Sequence, residues 1–340
     1  MSYNDILNKI QKSEPRKLND HVLLVDSMNL FIRNFSMINY VNHQGHHVGG
    51  LVGFLKSLGY LVRITNPTRV VLIFDGKGST INRKNIDPNY KGNRNLTRIT
   101  HWEVFDTKDQ EKDSMAAQID RLIDYLHCLP VFLLSVDKVE ADDVIGFISN
   151  GFSKRKSKVT IVSSDKDFLQ LVNEHTQVYS PIKKKYYNPQ AVHDEYGVLA
   201  KNYLIYKALL GDQSDNLTGV KGLGPKGVVK LFPMLTKEEV DGLAPIFEHC
   251  ENNLTKAKGY VKVLSQIDRV ETNYELMNIQ ESVLSDSDVS AILGILNHPV
   301  NDLNTGGFAL MYESDNLGGG ITNNIHTWVE VFRYLESIKK

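Results

Sequence analysis

Carboxylates placed at the ends of apolar runs are the side chains of this sequence best suited to chemistry. Asp26 closes HVLLVD and Asp75 closes VVLIFD. Glu140, Asp142 and Asp143 lie in VEADDVIGF, Asp165 and Asp167 follow VTIVSS, and Asp212 and Asp215 lie in GDQSDN. Acids gathered in one place repel, by about 4 kcal/mol per pair at about 4 Å and an effective dielectric near 20. A cation must offset that cost. A pair of hard divalent ions is the natural candidate, with Mg²⁺ foremost because it favours carboxylate, water and phosphate oxygens. Two such ions held by carboxylates point to hydrolysis of a phosphodiester.

Each acid also has a plainer reading. Acids in the first turn of a helix are favoured by its dipole, which suits Glu140, Asp142 and Asp143. A strand-to-helix turn likes Ser and Asp as caps, which suits SSDKD. Those readings predict isolated acids, whereas here an acid stands at successive strand ends.

The elements that must position the acids are legible as hydrophobic runs. Strand signals occur at 21–25, 70–74, 131–136 and 159–164, continuous rather than alternating, as in strands buried on both faces. Helical spacing lies between them at 50–62 and at 116–129, the latter ending before Pro130. Alternating strands and helices predict an α/β fold with a mostly parallel central sheet, whose sites lie at the carboxyl ends of its strands. A short amphipathic helix is expected at 3–13. Between Asp75 and residue 116, about forty residues lack strand character, too many for an ordinary connection. Their first half holds Arg83, Lys84, Lys91, Arg94 and Arg98 against the single acid Asp87. Beyond residue 190 the pattern is helical, with a flexible turn expected at the glycines 318–320.

Composition is that of an ordinary soluble globular protein, with 41% hydrophobic and 23% charged residues in 340. Lys and Arg number 39 against 40 Asp and Glu, a formal net charge of −1 that conceals segregation into acidic and basic clusters. Cys128 and Cys250 have no metal-ligand spacing. With no membrane-length apolar run and no signal-peptide core, a cytoplasmic protein is expected. His43, His46 and His47 read as a polar loop rather than a transition-metal trap. Trp102 and Phe105 suit either base stacking or anchoring of their segment, and the runs KRKSK at 154–158 and KKK at 183–185 read as solvated faces.

A second constellation follows GDQSDN. In GVKGLGPKG, Gly219, Gly222, Gly224 and Gly227 form a tight turn between predicted helices at 198–210 and 226–232. Such a turn lets backbone approach a phosphate chain, and Lys221, Lys226 and Lys230 add positive charge. The pattern predicts a grip on a nucleic-acid backbone.

Together these stretches resemble the flap endonuclease and 5′→3′ exonuclease family, of PIN-like 5′-nuclease fold. The resemblance spans residues 20–235 and rests on VDSMNLFIR, GGLVGFL, IFDG, YKGNR, VEADDVIG, SSDKDFLQL and GDQSDN followed by GVKGLGPKG. The chain ends look most like phage members such as the T-even phage ribonuclease H. The resemblance implies a first metal site of Asp26, Asp75, Glu140, Asp142 and Asp143, and a second of Asp165, Asp167, Asp212 and Asp215. It implies two Mg²⁺ ions, with Mn²⁺ substituting, and a K⁺ at the 219–227 turn. Lys91 and Arg94 would be catalytic, neutralising charge on the cleaved phosphate. Arg33, Arg83, Tyr90, Gly222, Gly224 and Lys226 would contact nucleic acid, Tyr90 by stacking on a terminal base. Ser27 departs from the glycine that many relatives carry.

The implied organisation is a nuclease domain at 1–185 with a helical arch at 83–113, a helix–three-turn–helix region at 186–275, and a helical extension at 276–340. The implied activity is structure-specific 5′-nuclease action on 5′ flaps, forks and RNA–DNA hybrids, giving 5′-phosphate ends. The protein would be a monomer aided by a single-strand-binding protein and a sliding clamp. Alternatives are a junction-resolving or nicking nuclease, and a non-catalytic DNA-binding accessory on the same fold.

Overall fold

The apolar runs assemble a six-stranded sheet in the computed structural model, which describes residues 17–92, 99–280, 284–322 and 324–338. The strands are β1 (His21–Asp26), β2 (Arg69–Phe74), β3 (Phe132–Ser135), β4 (Lys158–Val162), β5 (Thr176–Ser180) and β6 (Lys185–Tyr187). Their order across the sheet is β3-β2-β1-β4-β5-β6. All neighbours pair in parallel except β6, which runs antiparallel to β5.

Burial on both faces explains why the strands read as unbroken hydrophobic runs. Val22, Leu24, Val71, Ile73 and Ile161 pack on one face with Val144, Ile145 and Ile148 of the helix Ala141–Lys154. Leu23, Val25, Val70 and Leu72 pack on the other with the helices Ser27–Met37, Gly49–Thr65 and Lys108–His127. The winding direction reverses between β1 and β4. An open sheet splays its loops apart at such a point, leaving a crevice at the carboxyl ends of the strands.

Several expectations are revised. The helix expected at 116–129 begins at Lys108, because Thr107 and Gln110 form a reciprocal capping box. The helix expected at 198–210 splits into a 3₁₀ turn, Ala200–Asn202, and an α-helix, Tyr203–Leu210. β5 and β6 carry polar residues among their apolar ones and had no clear sequence signal. The glycines at 318–320 form the expected turn, with Gly319 at φ +74° and Tyr40 donating to the carbonyls of Leu317 (3.1 Å) and Gly318 (2.8 Å). The C-terminal segment completes the second core, with Phe308, Trp328 and Phe332 buried in it. Trp328 lies so close to Gly59 that a Cβ there would stand 2.4 Å from its indole nitrogen. The helix expected at 3–13 lies outside the described residues. Among the described residues no helix is long and apolar enough to cross a membrane.

Candidate active site

The end of β1 and the loop after β4 meet at the switch point. Asp26 is the last residue of β1 and the cap of the next helix, so Oδ1 accepts from the Asn29 amide at 3.1 Å. Its other oxygen accepts from Ser163 Oγ at 3.0 Å, and that same hydroxyl accepts from the Asp165 amide. Ser27 is fully buried and donates to the Val25 carbonyl, so the departure from glycine fits the helix start without displacing Asp26. Asp75 follows β2 and accepts from the Ala141 amide at 2.9 Å, which ties it to the helix carrying Asp142 and Asp143.

Asp26, Asp75, Glu140, Asp142 and Asp165 line one crevice of about 360 Å³, together with Arg33 and Lys91. Asp143, Asp167, Asp212 and Asp215 lie outside that lining. Basic side chains are threaded among the acids. Arg83 Nη1 lies 2.9 Å from Glu140, 3.2 Å from Asp142 and 3.0 Å from Asp143. Lys91 donates to Glu140 at 2.6 Å. Lys207 pairs with Asp167 at 2.6 Å and also with Asp212. With the side chains so placed, no group of three His, Cys, Asp or Glu among the described residues closes on a point that would hold one ion.

Burial dominates the electrostatics. It pushes the Asp26 carboxyl up to about 7, with Asp165 and Asp75 adding to the rise and the Asn29 and Ser163 bonds opposing it. Burial likewise takes Asp143 and Asp167 to about 7, helped by the neighbouring acids Asp142 and Asp165, and raises Glu140 and Asp165. Asp212 goes the other way: burial is outweighed by Lys207 and by the bonds from Ser214. Lys91 is raised although burial opposes it, because Glu140, Asp142 and Asp215 favour its charge. Glu140 also keeps one buried carboxylate oxygen with no partner. Desolvated acids with spare acceptor capacity form a donor set suited to a hard cation.

Two expected nucleic-acid contacts are corrected. Arg83 is 7% exposed and its guanidinium is taken up by three carboxylates and the Leu276 carbonyl, so it does not present charge to a ligand. Tyr90 is 2% exposed and packs with Leu204, Leu217, Leu276 and Met277, which leaves no face for a base. A sequence rich in bases between 83 and 98 does not reveal which of them turn inward. Arg94 lies outside the described residues. YKG and GDQSDN do come together, through the Lys91 amide to the Asp215 carbonyl and Asn216 to the Asn89 carbonyl, each at 3.0 Å.

The glycine turn forms as expected between Tyr203–Leu210 and Pro225–Leu231. Gly222 has φ +76°, a conformation that favours glycine. Gly224 caps the second helix and Lys226 is exposed beside it. Lys207 went unnoticed in the sequence. Its signal was a lone charge in the apolar helix YLIYKALL, where a buried lysine needs acids such as Asp167 and Asp212. His47, expected in a polar loop, is buried and stacked 4.4 Å from His101.

The model of the family described as 5′-3′ exonuclease, N-terminal resolvase-like domain, matches residues 21–197. The 5′-3′ exonuclease of Bacillus subtilis (strain 168) is 33% identical over 223 residues, covering 63% of this chain and 70% of the relative. That of Aquifex aeolicus (strain VF5) is 30% identical over 210 residues, covering 62% and 68%. DNA polymerase I of Borreliella burgdorferi is 26% identical over 265 residues, 76% of this chain, but the chain spans only 27% of that polymerase. Among solved structures, the bacteriophage T5 D15 flap endonuclease in complex with DNA and metal ions has a TM-score of 0.61 at 16% identity, covering 86% of this chain and 99% of its own. Human GEN1 in complex with Holliday junction DNA has a TM-score of 0.56 at 13% identity, covering 97% and 76%. These two likenesses are of fold. With all six strands of the sheet and the acids at their ends inside the matched span, the chain belongs to the 5′-3′ exonuclease family.

Proposed function

We propose that this chain is a metal-dependent, structure-specific 5′-nuclease that hydrolyses phosphodiesters in DNA and RNA–DNA hybrids and leaves 5′-phosphate ends. The observation that carries this reading is the convergence of Asp26, Asp75, Glu140, Asp142 and Asp165 with Lys91 around one crevice at the sheet's switch point. Asp26, Asp75, Glu140, Asp142 and Asp143 are the proposed first metal site, while Asp165, Asp167, Asp212 and Asp215 are proposed for a second. Their oxygen donors and the unpartnered Glu140 oxygen fit Mg²⁺, with Mn²⁺ as a substitute. When bound, such ions acidify water and screen charge on the attacking and leaving oxygens.

The chain's own residues supply the rest. Lys91, held at the crevice by Glu140, would donate to a non-bridging phosphate oxygen. Arg33, which lines the same crevice, would hold the flanking phosphate, with Arg94 as a further candidate. Gly222, Gly224 and Lys226 would grip duplex backbone, with K⁺ at the turn. The proposed substrates are 5′ flaps, forks and RNA primers, acted on by a monomer assisted by a single-strand-binding protein and a sliding clamp.

The test is cleavage of an end-labelled 5′-flap duplex and a matched RNA–DNA hybrid, with Mg²⁺ and then with EDTA. Metal-dependent release of short products from either substrate is expected, and the ratio of the two rates separates primer removal from flap cutting. Flap binding without cleavage would replace the nuclease with a DNA-binding accessory.

A further inference from the structure

The end of the sheet opposite the acidic crevice holds a buried charge that the nuclease reading does not use. Arg69 is the first residue of β2, at the far end of the strand from Asp75. It is 6% exposed. Its guanidinium lies 4.6 Å from the centre of the Phe132 ring and 5.9 Å from that of Phe152, and Nη1 donates to the Leu296 carbonyl at 2.7 Å. Nε is buried and has no hydrogen-bond partner. Among the described residues no carboxylate pairs with it. Burial alone pushes this arginine down, to about 10. Buried arginines are ordinarily paired, since an uncompensated charge in a dry setting is costly.

Beside Arg69 lies a cavity of about 220 Å³ whose walls include Phe147, Ile148, Phe152 and Leu296, with Arg155 contributing a second positive charge. Asn19 also lines it, with its amide oxygen buried and unpartnered; a flip of that amide would turn its N–H₂ inward as a further donor. Donors and positive charge therefore gather against an apolar wall. An apolar cavity of about 150 Å³ accepts a benzene ring, so this one has room for a ring or short chain bearing an acid.

We propose that this cavity binds a small apolar carboxylate, its oxygens on Arg69 Nε and the Arg155 guanidinium and its body against Phe147, Ile148, Phe152 and Leu296. A carboxylate matches the planar donor edge of a guanidinium and supplies the counter-charge the arginine lacks. An anion without an apolar body, such as inorganic phosphate, would leave the phenyl and aliphatic wall uncovered. The same chemistry is offered by a free organic acid and by the C-terminal carboxylate of a peptide ending in an apolar residue.

The probe is 4-fluorobenzoate, followed by ¹⁹F NMR and calorimetry on the full chain. Wild type is expected to bind it, and 4-fluorobenzamide and inorganic phosphate to bind at least about ten-fold more weakly. Arg69→Met is expected to lose binding, but this buried change can also harm folding. Gly151→Leu avoids that problem. A Cβ at Gly151 meets nothing within 4 Å, Gly151 lines the cavity, and Leu is a better helix former than Gly. The leucine should fill the space, abolish benzoate binding, leave the unfolding midpoint no lower than wild type, and leave flap cleavage unchanged. N-acetyl-glycyl-leucine binding more tightly than benzoate, with its C-terminal amide silent, would assign a protein terminus as the natural ligand. Benzoate binding with that peptide silent would assign a free acid. Wild type failing to bind benzoate up to about 10 mM, or Gly151→Leu binding it undiminished, overturns the proposal.

Discussion

Replacing Arg83 by leucine separates a structural counter-ion from a ligand-binding arginine. Arg83 contacts Glu140, Asp142 and Asp143 at 2.9–3.2 Å, and the side chains of Arg83, Glu140 and Asp143 are each less than a tenth exposed. At about 3 Å and an effective dielectric near 20, each contact is worth roughly 5 kcal/mol of gross attraction, most of it offset by desolvation. Removing one member of such a buried set leaves the partners uncompensated, at a cost of about 3–5 kcal/mol. In Arg83→Leu the three carboxylates would keep, among the described residues, only one ion pair, the Lys91 contact to Glu140. Urea denaturation in EDTA should show that loss. Mg²⁺ at about 100 times its wild-type Kd should stabilise wild type by about 2.7 kcal/mol and, at the same concentration, the variant by more, because the ion binds tighter where it replaces the missing charge. A loss below about 1 kcal/mol in EDTA, or equal stabilisation of both proteins by Mg²⁺, would rule out this counter-ion role for Arg83.

Lys91→Met should lower single-turnover cleavage by about 10²–10³-fold with flap affinity little changed, as for loss of a donor to developing charge; an unaltered rate would remove Lys91 from the reaction. His47 gives a pH test. Gln118 donates to its Nδ1 at 3.1 Å, so the neutral ring donates through Nε2 to the Ile38 carbonyl at 3.0 Å. Burial pushes this histidine down to about 4, so the unfolded chain binds the proton more readily. The contribution is complete above the unfolded pKa near 6.5 and is lost as pH falls toward 4, costing about 2 kcal/mol at pH 5. His47→Gln should flatten that pH dependence of the denaturation free energy, and an equally steep profile would contradict the assignment. At Gly76 a Cβ would stand 1.7 Å from the Val136 carbonyl oxygen. Gly76→Ala should therefore lower the unfolding free energy by about 1–3 kcal/mol and slow cleavage through displacement of Asp75, whereas a neutral change would show that the turn relaxes freely.

The acids were legible because their placement depends on local rules. A strand buried on both faces must be apolar, so the first polar residue after VLLV, VVLIF and VTIV marks a strand end, and parallel strands bring such ends to one edge. The order of the strands across the sheet was not in the sequence. That order makes Asp26 and Asp165 neighbours while β2 and β3 lie to one side, and it decides that five of the nine acids share a crevice.

The bases between 83 and 98 illustrate the limit. Arg83 and Lys91 look alike in a basic stretch, yet Arg83 turns toward the Leu276 carbonyl and the Glu140–Asp143 turn while Lys91 remains on the crevice wall. The difference comes from the helix Ile267–Met277, nearly two hundred residues away, whose carbonyl and side chains close over Arg83 and Tyr90. KKK at 183–185 is a largely solvated face, as read, but the sequence does not show that Lys183 and Lys185 both pair with Glu195. Hydrophobic periodicity and turn residues by themselves determined the parallel α/β scaffold and the candidate acids, because those signals act over a few neighbouring residues. Which charges are buried, which acids meet, and which arginine is left without a counter-ion were decided only by tertiary structure, because desolvation and pairing depend on whatever the rest of the chain packs against them.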